Sequence, residues 1–376
     1  MKSIIYIGMD VHKNTYSLCG IHSSTGEIIA QTKCGADVEN ILKFIDSAKE
    51  RLSQGDEMEI VTGYEAGCLG FSLYHELAYH DVSCVILAPS TMHGSVKNKK
   101  VKNDRMDAFN IATNLMYNSY KAVHVPTEHD NEIKEYIGLR EDVIISRKRI
   151  KQQISALALR HGFRYEGKSN WTIAHIKWLE TIELPEITRE TLNEYLKVYD
   201  YLNERIKKYD ERIEEFSHEE EYEEPVSKIS CFKGIDTLSA MKIHVTVSDF
   251  QRFPTAKAFM ANLGMLPGEN SSAEKHSNTP ITKMGNAMVR KTLVECAQSL
   301  VRGTVGKKSK ALKKRQKGQD DAVIAYTDRA VERLQKRFKR MVLRGKPYNV
   351  AIMAVARELA GFIWVEKAPG CFRLIT

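Results

Sequence analysis

Residues 3–34 read SIIYIGMDVHKNTYSLCGIHSSTGEIIAQTKC, and this stretch decides how the N-terminal part of the chain folds. The apolar run SIIYIGMDV and the segments TYSLCGIHS and EIIAQTKC each have the length and the β-branched content of a strand. Ser24, Thr25 and Gly26 mark a tight turn between the second and the third segment. The stretch therefore predicts a strand followed by a β-hairpin.

The next sixty residues alternate helical and strand patterns. Apolar residues recur at helical spacing over 37–53, and the strand-like EMEIVTGYEA follows. A helical segment, LGFSLYHELAYH, then leads to the strand-like VSCVILAP. Three strands, helix, strand, helix, strand, helix is an order that predicts an α/β domain with a mixed sheet. It is the order of the ribonuclease-H type of nuclease fold.

The remainder of the chain is mostly helical. Over 188–217, apolar residues recur in steps of three and four, which predicts the seam of a coiled coil. This seam serves either dimerisation or packing against the preceding helix, and the pattern leaves both open. The later segment CFKGIDTLSAMKIHV resembles a helix-hairpin-helix with Asp236 in place of the usual second glycine. That hairpin is either structural or phosphate-binding.

These patterns divide the chain into three expected parts. Residues 1–125 form the α/β domain, and 126–224 form a long helical coiled-coil region. Residues 225–376 form a mostly α-helical C-terminal domain.

Composition narrows the class of protein. The 376 residues are 43% hydrophobic and carry a net charge of +8, with Lys and Arg concentrated in GKKSKALKKRQKG and RLQKRFKRMVLRGK. Such basic tracts indicate nucleic acid or an anionic membrane surface. The seven cysteines form no CxxC pair, which favours a reducing cytosol and argues against a zinc site or a disulfide frame. The apolar run YNVAIMAVARELAGFIWV is interrupted by Arg357 and Glu358 and therefore predicts a buried helix. We therefore expect a cytoplasmic protein that does not bind membranes.

Four acids stand where the predicted elements begin or end. Asp10 ends the first strand, Glu65 ends the fourth, and Asp104 and Asp107 share one face at the start of a helix. Strand ends form the sites of α/β sheets, so these side chains are expected to converge. The plain alternatives are a loop cap for Asp10 and a lysine partner for Glu65.

Four converging carboxylates repel one another unless cations join them. Oxygen ligands favour Mg²⁺ or Mn²⁺, and a pair of such ions supports phosphodiester chemistry. Nearby lysines are expected to contact a nucleic-acid backbone; they are Lys97, Lys99, Lys100 and Lys102.

Several segments resemble the DEDD transposases of one bacterial insertion-sequence family, the bridge-RNA-guided recombinases. In the first half these are GMDVHK, GYEAG, CVILAPS and VKNDRMDAFNIA, and in the second half GIDTLSA, FQRFPTAKAFMANLGMLPGENSSAEKHSNTPITKMGNAMVRKTLVECA and AVARELAGFIW. The resemblance implies a RuvC-like N-terminal domain and a C-terminal transposase domain. It also implies that Asp10, Glu65, Asp104 and Asp107 bind the metal. Asn103 stands where that family usually has Thr.

The resemblance further implies a nucleophilic serine in the loop GMLPGENSSAEKHSNTPITKMGN. Ser272 is the best match and Ser271 the second, with Ala273 in place of the family's glycine. From the residues alone, a loop serine is more often a turn or cap residue, and Asn286 is a candidate helix start. Cations in and after this loop are expected to contact DNA; they are Lys275, Lys283, Arg290 and Lys291.

Together these features predict a DNA recombinase that excises and inserts a mobile element. The resemblance implies that its partners are the element ends, the target DNA, a structured guide RNA and further copies of the chain, as a dimer or tetramer. Three alternatives stay open. One is a site-specific DNA invertase with the same chemistry, and another is a metal-dependent RuvC-like junction nuclease that needs the acids but no serine. The third is a non-catalytic nucleic-acid scaffold.

Overall fold

A computed structural model describes residues 3–52, 58–67, 69–92, 103–269 and 278–367. The chain divides into two compact units, Met1–Val125 and Pro126–Thr376. A further division of the second unit at residue 224 stays a prediction.

The first unit is built on a five-stranded sheet of order β3-β2-β1-β4-β5. β1, β2 and β3 pair antiparallel, whereas β1, β4 and β5 pair parallel. The predicted mixed sheet is thereby confirmed. The elements are β1 (Ser3–Val11), β2 (Thr15–His22), β3 (Ile28–Gly35), α1 (Val38–Leu52), β4 (Met58–Glu65), α2 (Ser72–Tyr79), β5 (Cys84–Leu87), a 3-10 turn (Pro89–Thr91) and α3 (Asp104–Met116).

The two faces of the sheet bury different helices because side chains alternate along each strand. Ile5, Ile7 and Met9 of β1 are fully buried in a core that α1 and α2 cover. The opposite face of β1 packs against α3 at Gly8. A Cβ built there would lie 2.1 Å from the carbonyl oxygen of Ala108, so only glycine allows this helix to approach so closely.

Within its described residues, the second unit is helical apart from a two-stranded ribbon. Its elements are α4 (Glu128–Arg160), α5 (Ile173–Thr181), α6 (Glu186–Phe216), α7 (Glu220–Ser230), α8 (Thr237–Val247), α9 (Ala256–Asn262), β6 (Pro267–Glu269), β7 (Asn278–Ile281), α10 (Ala287–Leu300), α11 (Lys310–Gln316), α12 (Asp321–Leu343) and α13 (Tyr348–Lys367). The expectation of a helical C-terminal part is confirmed.

The apolar seam of α6 packs against α4 in an antiparallel pair. Arg147 donates to Asn203 over 2.9 Å, and nearer the start of α4 Arg140 pairs with Asp210. Packing against the preceding helix, one of the two roles that the pattern left open, is therefore present. A role of the seam in joining two chains stays a prediction.

Helix α13 lies at the centre of the second unit's main core. Its stretch Tyr348–Glu366 has the length and the composition of a membrane span, but 61% of that stretch is buried inside the protein. Leu359, Ala360 and Ile363 are fully buried among residues of neighbouring helices. This is the buried helix that the interrupted apolar run predicts.

The hairpin between α7 and α8 is shaped by packing. Gly234 has φ +90°, and a Cβ there would lie 2.5 Å from the carbonyl oxygen of Cys296. The side chain of Asp236 caps α8 by accepting from the amide of Ser239 at 2.9 Å. A carboxylate therefore occupies the helix terminus where a phosphate would bind, which favours the structural role of this hairpin.

Candidate metal centre

Asp10 and Glu65 end neighbouring parallel strands. The last registered pair between β1 and β4 is Met9 with Tyr64, and each acid is the next residue. Adjacent strands lie about 4.8 Å apart, so the two acids start from adjacent positions at the same edge of the sheet. Gly8 and Gly63, two residues earlier on each strand, both face α3, and the acids therefore lie on the α3 face as well.

Helix α3 brings a third acid to this edge. Asp104, Ala108 and Ala112 follow one another at i, i+4 spacing, and the two alanines contact Gly8. One turn before Ala108, Asp104 reaches Asp10. Ligand atoms of Asp10, His12 and Asp104 all lie within 4.8 Å of one another.

The surroundings of Asp10 disfavour a negative charge on its carboxyl group. Burial raises the pKa of its carboxyl group above the ordinary value, the charge of His12 opposes this rise, and the charges of Asp107 and Asp104 add to it. Its Oδ2 atom is buried without a well-formed hydrogen bond, and His12 Nε2 lies 3.2 Å from it. Asp10 is thus a carboxylate that burial and neighbouring acids disfavour in its charged form.

Asp104 has the opposite environment. Lys33 donates to its Oδ2 over 2.8 Å and lowers the pKa of the Asp104 carboxyl group. Lys33 reaches it from β3, because the register aligns Asp10 with Ser17 and Ser17 with Lys33 across three strands. Asn103 caps α3 by accepting from the amide of Arg105 at 3.1 Å, a role that the family's threonine fills equally well.

The residues fit a divalent cation. A buried, poorly satisfied carboxylate oxygen next to a second carboxylate and an imidazole is the arrangement that a cation would neutralise. Among the residues that the structure describes, this three-residue cluster contains two of the four predicted acids. Glu65 lies in the adjacent register position, and Asp107 is close enough to raise the pKa of Asp10. Convergence of all four acids on shared ions stays a prediction.

No sequence pattern described above assigns His12 or Lys33 to the site. His12 follows Asp10 by two residues, directly after the end of β1, so the letters DVHK contain a short-range signal. No local pattern indicates Lys33, because its position depends on the register of three strands.

Replacing Lys33 by methionine tests this ion pair. We expect the pKa of the Asp104 carboxyl group to rise towards its ordinary value of 3.8. A lowered pKa stabilises the fold above that ordinary value, and this stabilisation is lost as the pH falls through the lowered pKa. The variant should therefore lose less stability than the wild type on acidification.

Carbon-13 NMR titration of the carboxyl groups measures the shift in the pKa of Asp104. Lys43→Met, an exposed substitution on α1, is the control; identical titration of Asp104 in both variants would contradict the assignment.

The serine region is described only at its flanks. Strands β6 and β7 pair antiparallel, from Pro267 with Ile281 to Glu269 with Asn278. The amide of Lys283 donates to the carbonyl of Gly264 over 3.1 Å and ties the end of the ribbon to α9. Several predicted residues lie outside the described ranges, namely Ser271, Ser272, Lys275, Lys97, Lys99, Lys100 and Lys102.

Three of the cations that are predicted to contact DNA lie in or near α10 within the described residues. Lys283 is exposed with φ +56°, whereas Arg290 donates to the carbonyl of Leu263 over 2.9 Å. Lys291 forms an ion pair with Glu141 at 3.1 Å, which raises the pKa of its ammonium group. Asn286 caps α10 by accepting from the amide of Val289. Of the three cations, Lys283 is the most available for a further partner, because Arg290 and Lys291 are already paired. The DNA contacts themselves stay predictions.

Comparison with known proteins agrees with this arrangement. A family model of the DEDD transposases of IS110, described as "Transposase", matches residues 7–162. A second, "Transposase IS116/IS110/IS902 family", matches residues 226–313.

Curated relatives match over most of the chain. The transposase for insertion sequence element IS1533 of Leptospira borgpetersenii is 30% identical over 91% of this chain and 97% of its own length. The putative transposase y4qE of Sinorhizobium fredii is 31% identical over 80% of this chain and 73% of its own. The transposase for insertion sequence element IS1111A of Coxiella burnetii is 22% identical over 82% and 81%.

A mixed sheet with acids at its edge, joined to a helical second unit, is here the framework of a DNA transposase, an enzyme that cleaves and rejoins DNA strands. Within that class, the chain belongs to the IS110/IS116 family of insertion-sequence transposases. It therefore binds DNA, and its DEDD domain indicates the use of a divalent metal.

Proposed function

We propose that this transposase excises and inserts its element with Mg²⁺, or Mn²⁺, held by Asp10, Glu65, Asp104 and Asp107. The observation that carries the proposal is the convergence of Asp10 and Asp104 at the edge of the sheet where Glu65 also ends its strand. Hard carboxylate oxygens suit either ion, and the imidazole of His12 makes Mn²⁺ a serious candidate beside Mg²⁺.

The protein's own residues prepare this centre. Asp10 is fixed by the rigid end of β1, and α3 holds Asp104 against it through the close contact at Gly8. Lys33, on β3, donates a hydrogen bond to one oxygen of Asp104 and so helps to orient it. When bound, the ion neutralises the carboxylates and stabilises negative charge on a DNA phosphate and its leaving oxygen.

We assign the nucleophile to Ser272, with Ser271 as the second candidate. The serine Oγ loses its proton and forms a bond to phosphorus while one bond from phosphorus to a deoxyribose oxygen breaks. That oxygen takes up one proton, so the protons balance. One phosphate ester replaces another, so the covalent protein–DNA intermediate conserves the energy for rejoining. In the sequence these serines lie between the two paired strands of the ribbon, and this position supports a functional role for them.

The remaining parts of the proposal concern partners. A structured guide RNA selects the element ends and the target. The transposase acts in the cytoplasm as a dimer or tetramer. Residues 126–224 serve assembly and 225–376 form the domain that bears the serine. The cations proposed to hold nucleic acid near the two sites are Lys97, Lys99, Lys100, Lys102, Lys275, Lys283, Arg290 and Lys291.

Trapping the covalent intermediate tests the serine. Cells that carry the transposase and plasmids with the element's own ends are lysed into detergent during recombination. We expect a covalent protein–DNA adduct in the lysate, and we expect Ser272→Ala to abolish it. Ser277→Ala, in the same loop, is the matched control and retains the adduct. An adduct that survives Ser272→Ala but not Ser271→Ala moves the nucleophile by one residue. Survival in both variants refutes the serine mechanism, and cleavage with no adduct in the wild type favours a junction nuclease.

A further inference from the structure

Helix α12 presents one strongly basic face. Between Arg329 and Lys346 the sequence has eight cations and a single acid, Glu332. At 100° per residue, six of these cations fall within an arc of about 100° and extend for about 22 Å along the axis. They are Arg329, Arg333, Lys336, Arg337, Arg340 and Arg344.

The opposite face of α12 is buried. Ala330, Val331 and Leu334 are at most 6% exposed and belong to the main core of the second unit. This buried face fixes the helix on the core of the second unit, so its basic face is held in one orientation.

A carboxylate of the neighbouring helix α13 organises two of the arginines. Glu358 accepts from Arg333 over 2.8 Å and pairs with Arg337 at 3.0 Å, and its side chain is only 18% exposed. A guanidinium group has five N–H donors, so each arginine keeps donors for a further anion. Arg333 and Arg337 are still 63% and 43% exposed.

The other cations of this face keep a net positive charge. Lys336 pairs with Glu332, but Arg329, Arg340 and Arg344 form no ion pair within the described part of the chain. Five of the six cations border a groove of about 480 Å³ along the helix. A merely solvated helix face would alternate its charges, as the exposed pairs of α6 do.

We infer that this face of α12 is a docking surface for the phosphate backbone of duplex DNA, bound without regard to sequence. Arginine is the preferred partner of phosphate, and the row is straight and rigid like a duplex. Duplex DNA carries one charge per about 1.7 Å of axis, so a 22 Å row meets several phosphates. The inference rests on the family's action on DNA and not on the metal or serine chemistry proposed above.

The test replaces three of the four cations of this face that do not touch Glu358, and leaves Arg344 unchanged. In an Arg329→Gln, Lys336→Gln, Arg340→Gln variant, the plot of log affinity against log salt should become less steep by about 2 to 3, since each lost phosphate contact removes about 0.9. Affinity for a short duplex of unrelated sequence should fall on the order of 10²-fold at about 0.1 M salt. EDTA is present throughout, so failure of the proposed metal and serine chemistry leaves this result unaffected.

Two controls make the result decisive. Lys197→Gln, Lys207→Gln, Lys208→Gln on α6 removes the same charge from exposed positions and should leave the slope unchanged. Arg329→Lys, Arg340→Lys keeps the charge and should keep the slope. If the triple variant fails to fold, the single exposed change Arg340→Gln should lower the slope by about 0.9. An unchanged slope, an equal loss in the α6 control, or a loss for structured RNA alone would overturn the inference.

Discussion

Replacing Asp10 by asparagine is expected to abolish DNA strand cleavage and, at the same time, to stabilise the metal-free protein. Cleavage should fall on the order of 10³-fold or more, because a lost metal ligand removes several kcal/mol of transition-state stabilisation. Stability should rise by about 0.5–2 kcal/mol, because the variant no longer holds a charge that burial and two neighbouring acids disfavour.

The pH dependence of this gain has a definite sign. A raised pKa stabilises the fold below the ordinary value of 3.8, and this stabilisation is lost as the pH rises through the raised pKa. The advantage of the variant should therefore be larger at pH 7 than at pH 4. Urea unfolding in EDTA at both values measures it, and thermal unfolding with added Mn²⁺ should show stabilisation of the wild type alone.

Asp46→Asn is the matched control for Asp10→Asn, since Asp46 is an exposed acid on α1 of the same unit. It should change neither cleavage nor the response to Mn²⁺. An Asp10→Asn enzyme that still cleaves DNA at the wild-type rate would remove the metal centre from the mechanism.

Replacing Gly8 by alanine is expected to be the most damaging conservative change in the first unit. The new methyl group would lie 2.1 Å from the carbonyl oxygen of Ala108 and 2.3 Å from the amide nitrogen of Ala112. Both are backbone atoms, so α3 has to move away from β1, at a cost of about 3 kcal/mol or more. Because α3 carries Asp104, the same movement separates Asp104 from Asp10 and should abolish stabilisation by Mn²⁺.

Gly20→Ala is the control for Gly8→Ala. Gly20 lies in the adjacent strand β2, where a Cβ meets its nearest neighbour at an ordinary 3.7 Å. It should cost little or slightly stabilise the protein, because alanine restricts the unfolded chain. Urea unfolding compares the two, and hydrogen exchange over residues 104–116 reports on α3. Equal losses in the two variants would show that the contact at Gly8 has no special role.

The sequence predicts the sheet and part of the site for local reasons. Alternation along β1 and the order of strands and helices place Asp10 and Glu65 at one edge, and the helical spacing places Asp104 and Asp107 together. Each strand and helix depends on neighbours within a few residues, and the order of these elements restricts how the strands can pair. The start of α3 is equally local, since it depends on the capping side chain of Asn103.

The features that escaped sequence analysis depend on contacts between distant residues. Lys33 meets Asp104 only because two antiparallel registers align, and a shift of one residue would turn it to the other face. The partner of the α6 seam was undecided because an apolar stripe does not specify which helix it meets. Lys291 is a cation of the type that contacts DNA, but it forms an ion pair with Glu141 on α4, and no local pattern indicates that pairing.

The position of α13 has a consequence for damaged copies of the gene. This last helix fills the centre of the larger core and also supplies Glu358, which braces the arginines of α12. A reading frame interrupted before residue 348 would leave the apolar sides of α10 and α12 open to water. Such a fragment should be cleared by proteolysis before it competes with intact transposase for the ends of the element.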